Sequence, residues 1–217
     1  MSSLEIVRER VAGHRYAQHI SSLSKASLAT ERHIPAGEAF ASALKKAGMP
    51  GALVRGRVYQ CVGPAPVSTA VALLQSASAA GSWVGWCAAT QLNWNAARHR
   101  KWALERVVKV NCTEQWGATL GALADGIEVM VVDTPSCVSP AEVRRFFSMA
   151  TNKQCVVVVL GASPLVAADV VFSVINRTWS GTSADNEHGH LGSQTLEIRI
   201  EGRRIPHPHS FSLTTVS

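Results

Sequence analysis

The run Gly63-Pro64-Ala65-Pro66-Val67-Ser68-Thr69-Ala70 follows an apolar stretch, residues 54–62, and leads into an alanine-rich one, residues 69–80. Strand, glycine-bearing loop and helix is the layout that cradles a phosphate, because backbone N–H groups and the positive end of the helix dipole converge on the anion. A second piece of the same chemistry is Val129-Met130-Val131-Val132-Asp133, an apolar strand ending in a carboxylate that could hold Mg²⁺. The loop lacks key parts. Counted from Gly63, Ser68 stands where a phosphate loop has its second glycine, Thr69 where it has its lysine, and Ala70 where it has its metal-binding hydroxyl. A shift by one residue restores a hydroxyl but no lysine. Pro64 and Pro66 also remove two N–H donors. With no phosphate-side cation beside it, Asp133 reads as a strand-end or capping carboxylate.

Other reactive side chains offer less. The five cysteines (Cys61, Cys87, Cys112, Cys137, Cys155) are odd in number, widely spaced and without a CxxC pair, so neither a zinc site nor a disulfide framework is expected. Four of them lie in or beside apolar runs, where a reduced thiol packs as a small hydrophobe. His207 and His209 flank a proline, and His188 and His190 sit near Asp185 and Glu187. Neither spacing is that of a compact ligand set, so both groups are read as polar loops and no metal or cofactor is expected.

These residues belong to a chain of 217 with a net charge of +6, 47% hydrophobic and 17% charged. That composition excludes a disordered chain and suits one well-cored domain. The longest apolar run, residues 156–160, is far too short for a membrane span. The first residues, Met1-Ser2-Ser3-Leu4-Glu5, lack the basic and apolar regions of a secretory signal, so a cytoplasmic protein is expected. The charge is uneven: +6 in residues 51–110, +3 before them and −3 after. A basic middle could face an acidic partner or nucleic acid, although a solvated face is the simpler reading. Five of the six tryptophans fall between Trp83 and Trp116, as buried anchors or as an interaction surface.

The periodicity places these residues on elements. Leu4, Val7 and Val11 repeat at helical spacing, and a serine-rich linker follows at 21–30. We therefore divide the chain into an N-terminal helix and linker, 1–33, and a core, 34–217. Helices are expected at 36–47, 69–80, 96–103, 115–124 and 139–151, the last opened by Ser139 as N-cap and Pro140 at the first helical position. Strands are expected at 54–62, 83–87, 106–110, 127–132 and 155–160, then at 170–177, 193–200 and 204–213 with a hairpin turn at Glu201-Gly202-Arg203. Strands interleaved with helices imply a mostly parallel sheet covered on both faces, and the last three an antiparallel hairpin extension.

In order and spacing, residues 34–213 resemble the RecA family of strand-exchange ATPases. The segment Gly56-Arg57-Val58-Tyr59-Gln60-Cys61-Val62-Gly63-Pro64 is similar to that family's lead-in to its phosphate loop, Glu128 to Thr134 to its acidic strand, and Gly192 to Phe211 to its closing hairpin. The resemblance implies a RecA-like α/β fold with a mostly parallel central sheet flanked by helices. It also implies an acidic residue after the strand at 83–87 to activate water. Cys87-Ala88-Ala89-Thr90 supplies none, and Ala89 joins the degenerate positions. Phosphate charge, metal ligand and general base fail together, so no ATP hydrolysis is expected. The links at 134–139 and 161–168, where the family carries long DNA-binding loops, are short and lack aromatic residues. Direct nucleic-acid binding is expected to be weak or absent.

Within that family, Gly81-Ser82-Trp83-Val84-Gly85-Trp86-Cys87 and Leu104-Glu105-Arg106-Val107-Val108-Lys109-Val110 look most like the ImuA group, accessory proteins of damage-induced (SOS) mutagenic replication. That resemblance implies a non-catalytic scaffold of a translesion mutasome in the cytoplasm, nucleoid-associated after DNA damage. Its partner would be an ImuB-type inactive Y-family polymerase relative, and through it an error-prone replicative-type DNA polymerase and the sliding clamp. The alternatives are a SulA-like inhibitor of cell division that binds FtsZ, or a degenerate RecA-type DNA-binding ATPase. Candidate contacts are the helix bearing Leu4, Val7 and Val11, and the C-terminal segment Arg203-Arg204-Ile205-Pro206.

Overall fold

In the computed structural model, the described residues are 32–112, 115–135, 137–181 and 192–216. The chain divides into two units, residues 1–33 and 34–217. Leu4, Val7, Val11, the linker at 21–30 and the His188/His190 loop lie outside the described residues.

The second unit is a mixed α/β fold. Two short strands, β1 (His33–Pro35) and β2 (Ala52–Val54), form a small sheet, with α1 (Glu38–Lys46) between them in sequence. The main run is β3 (Val58–Val62), α2 (Pro66–Leu73), α3 (Gln75–Ala79), β4 (Val84–Trp86), α4 (Trp94–His99) and β5 (Val107–Lys109). It continues through α5 (Trp116–Leu123), β6 (Val129–Val132), α6 (Pro140–Asn152) and β7 (Val156–Leu160), and closes with β8 (Val170–Ser180), β9 (Ser193–Glu201) and β10 (His209–Val216). The eight-stranded sheet runs β10-β9-β8-β3-β7-β6-β4-β5. Pairings from β5 through β8 are parallel, while β8–β9 and β9–β10 are antiparallel.

The central strands read as continuous apolar runs because both faces are covered. Alternation at period two sends Val129, Val131, Val156 and Val158 into one cluster with Phe40, Leu73, Trp86 and Phe172. Met130, Val132, Val157 and Val159 enter the other, with Trp116, Leu120, Val143 and Phe146 of α5 and α6. Edge-to-face ring pairs tie helix to sheet on the first side (Phe40–Phe172, centroids 5.1 Å apart) and α5 to α6 on the second (Trp116–Phe146, 5.0 Å). On α6, Ser139 caps the first turn, accepting from the Glu142 N–H at 3.2 Å.

Several boundaries differ from the sequence reading. The strand expected from residue 54 is split: Ala52–Val54 joins β1, and a turn at Gly56 (φ +74°) precedes β3. The helix expected from residue 69 begins at Pro66, because proline is pre-set for the first helical position, and it breaks at Leu74. The last strand starts at His209 rather than near 204. The intervening N–H groups go elsewhere: Arg204 N–H to the Asp169 carbonyl (3.1 Å), Ile205 N–H to Gly202 (3.1 Å) and His207 N–H to Ala47 (3.4 Å).

No helix among the described residues is long and apolar enough to cross a membrane. Cys61, Cys87, Cys112 and Cys155 are buried thiols, and Cys137 is exposed.

Candidate functional site

The carboxyl ends of the parallel strands gather the sequence-predicted positions, since every βα connection leaves from that edge. The loop from β3 to α2 is only Gly63-Pro64-Ala65. Gly63 has φ +96°, and a Cβ there would lie 2.4 Å from the Val174 carbonyl oxygen on β8, so only glycine fits. Arg177 of β8 donates to the Pro64 carbonyl at 3.1 Å, fastening the loop from outside.

Beyond the loop, Thr69 and Ala70 are fully buried. Thr69 Oγ1 donates to the Ala65 carbonyl at 2.9 Å, and its N–H goes to the same oxygen at 3.1 Å. The side chain at the lysine position therefore points back into its own helix. The early start of α2 takes Ser68 into the helix as well, where it lines a separate groove against β8–β10.

Asp133 follows β6, separated from the loop by the width of β7 in the strand order. One carboxylate oxygen accepts the Ala89 N–H at 2.7 Å. Its backbone carbonyl accepts the Trp116 indole N–H at 3.1 Å. Lys109 on β5 donates to the Ala88 carbonyl, so the backbone after β4 is pinned from both neighbouring strands. A pocket of about 480 Å³ lies here, with Cys87, Lys109, Cys112, Trp116, Asp133 and Thr134 among its walls. Thr134 Oγ1 is buried without a hydrogen-bond partner among the described residues. Burial pushes the Cys87 and Cys112 thiols up, which makes them poor nucleophiles. Among the described residues the walls offer one carboxylate, one ammonium held by a carbonyl, and protonated thiols. That set can hold a polar ligand.

The C-terminal candidates divide. Ile205 is 7% exposed and belongs to the core, so it is not a surface contact. Arg203 is a structural tether: its guanidinium donates to the Ala167 carbonyl (2.8 Å), the Ala168 carbonyl (3.3 Å) and Asp169 (3.1 Å). Arg204 lies 3.7 Å from the same carboxylate and stays half-exposed, and Pro206 is exposed. Sequence reasoning missed Asp169. It is 5% exposed, accepts the Val58 N–H at 3.1 Å and faces Arg57, Arg203 and Arg204. The only local signal was a carboxylate at the head of an apolar strand.

The basic middle segment is dispersed over separate acceptors. Arg55 pairs with Glu128, Arg57 with Asp169, and Arg106 with the Gly81 carbonyl. The tryptophans also divide: Trp86, Trp102 and Trp116 are buried, while Trp83, Trp94 and Trp179 are 41–44% exposed.

A family model described as the MT3502 N-terminal domain matches residues 47–165, more than half of the chain. The match spans the β3–α2 loop and Asp133 and ends before β8. No curated protein matches.

Proposed function

The chain belongs to the family of the MT3502 N-terminal domain; from the resemblance of its motifs to the RecA family and the ImuA group, we propose a non-catalytic accessory protein of RecA-like architecture, serving damage-induced error-prone DNA synthesis. In this reading the core presents its surfaces to an ImuB-type Y-family polymerase relative, and through it supports an error-prone replicative-type polymerase. The RecA-like part is supported by the placement of a strand–glycine–helix unit in the interior of a parallel sheet. The acidic strand and the strand before Ala88-Ala89 open on the same carboxyl edge.

One observation carries the non-catalytic part. The side chain where a phosphate loop has its lysine is a fully buried threonine bonded to its own helix, and Pro64 in the loop and Pro66 at the helix start offer no N–H. Restoring phosphate affinity would require a cation there, and the site is packed against it. Asp133, the remaining carboxylate, is bonded to the Ala89 N–H.

Two measurements test the reading. Calorimetric titration with ATP and Mg²⁺ is expected to show no saturable binding, and micromolar affinity would refute the non-catalytic assignment. Co-expression with an ImuB-type protein is expected to yield a complex weakened by Leu4→Asp/Val7→Asp or by Arg204→Glu. Failure to form any complex removes the accessory reading, whereas a complex indifferent to both changes relocates its interface.

A further inference from the structure

The antiparallel part of the sheet carries a groove that the degenerate nucleotide site does not explain. β8 follows the inward pattern Val170, Phe172, Val174 until its register against β9 shifts between Val174 and Asn176. That bulge at Ile175 inverts the alternation beyond it, so Arg177 and Trp179 take the face that Val174 held. Arg177 then stands opposite buried Leu196, and Trp179 opposite Gln194. Thr215 of β10 pairs with Gln194 in turn, giving a cross-strand row Trp179–Gln194–Thr215. This row and residues of α2, α3 and α4 enclose about 640 Å³.

The chemistry of the walls is uneven. Four amide side chains (Gln75, Asn93, Asn95, Gln194) line the groove with His99 and Arg100, and no carboxylate does among the described residues. Gln194 is 5% exposed and stands on the groove wall. Arg100 is half-buried; among the described residues its guanidinium makes one hydrogen bond, a long 3.4 Å contact to Gln75, and pairs with no carboxylate. Burial pulls the Arg100 guanidinium below its ordinary value, as expected of a desolvated cation without a counter-charge. Trp179 is 44% exposed, and Val67 and Val71 lie across from it. A half-buried cation with no carboxylate beside it among the described residues faces one cavity with a largely buried amide, and a carboxylate ligand would complete the cation.

We propose that this groove docks an acidic peptide segment of a partner protein: an extended stretch in which an Asp or Glu sits beside an aliphatic or aromatic residue. The carboxylate meets Arg100 and His99, the apolar side chain lies on the Trp179 indole and Val67, and the amides take the alternating N–H and C=O groups of the peptide backbone. Charge complementarity selects the sign of the partner. The amides and the lone aromatic select a peptide over a nucleic-acid strand, which is held by a track of cations and successive stacking rings. The inference rests on the groove alone, so failure of an ImuB-type complex to form would leave it standing.

The test presents a bead-displayed library of random short peptides to the full-length protein. Enrichment of Asp or Glu next to aliphatic or aromatic residues is expected. The best peptide, labelled with fluorescein, should bind about tenfold more tightly than its Asn/Gln analogue in an anisotropy titration. Arg100→Gln should abolish that preference and leave the analogue's affinity unchanged. Trp179→Ala, a change on an exposed strand position, should weaken both peptides about tenfold. Circular dichroism melts matching the wild type show that each variant is folded. Absence of acidic enrichment overturns the proposal, as does a preference that survives Arg100→Gln. Displacement of the peptide by oligo(dT) or ATP, with affinity for that competitor lost in Trp179→Ala, assigns the groove to nucleotides instead.

Discussion

Replacing Asp169 separates a structural role for the Arg203–Pro206 segment from an interface role. The carboxylate is 5% exposed and makes two kinds of contact. One oxygen accepts the Val58 N–H at 3.1 Å, fixing the start of β8 to β3; the other faces Arg203 at 3.1 Å, and Arg57 and Arg204 at 3.7 Å. Losing a charged acceptor from a buried N–H costs about 1.5–3 kcal/mol. The three guanidinium side chains are 35–61% exposed, so solvent screening limits each pair to about 0.2–1 kcal/mol. Asp169→Ala is therefore expected to cost about 2–6 kcal/mol. Asp169→Asn keeps an acceptor for Val58 but turns an amide toward three cations, and should cost about 1–3 kcal/mol. Urea unfolding with linear extrapolation measures both. Arg203→Ala should cost about 1 kcal/mol, because Arg57 and Arg204 remain beside the carboxylate. If Asp169→Ala lies within about 0.5 kcal/mol of the wild type, or Arg203→Ala costs as much as it does, the carboxylate is not the anchor of this turn. If the costs fall as derived, any loss of partner binding in an Arg203 variant first reports on folding.

Two further outcomes follow from the titratable groups. Burial alone would raise the Glu128 carboxyl, but the Arg55 guanidinium and the Trp83 N–H outweigh it and hold the carboxyl below its ordinary 4.5. Its contribution to stability is thus full above that value and is lost as pH falls through the lower folded value. Glu128→Gln should flatten that part of an acid-unfolding curve, and an unchanged curve would refute the pairing. Cys61 and Cys155 are pushed up by burial, Cys155 to about 12, as are Cys87 and Cys112, whereas Cys137 is exposed. Iodoacetamide at neutral pH should therefore modify Cys137 first, as peptide mass mapping would show; early labelling of Cys87 would contradict the packing around it.

The layered α/β plan was legible because its signals are local. Apolar runs such as Val156–Leu160 and the Ser139-Pro140 helix start are written in neighbouring residues. The missing lysine was equally legible, because residue type and count along a loop need no third dimension. Boundaries set by distant backbone were not. The delayed start of β10 depends on acceptors at Asp169 and Ala47, and the split before β3 on a strand pairing with His33–Pro35. Ile205, legible as a tail residue, is in the core for the same reason.

By itself, the sequence determined the class of fold, the order of its elements and the absence of a lysine and of two N–H donors from the segment at Gly63–Ala70, all of which depend on residue types at short spacing. Tertiary structure alone decided which isolated residues meet. Asp169 reaches Val58 across 111 positions, and a one-residue shift at Ile175 turns Trp179 toward Gln194 and the helices. A strand's local alternation is blind to both events, because the bulge is defined only by pairing with β9 and the carboxylate's environment only by the sheet's register.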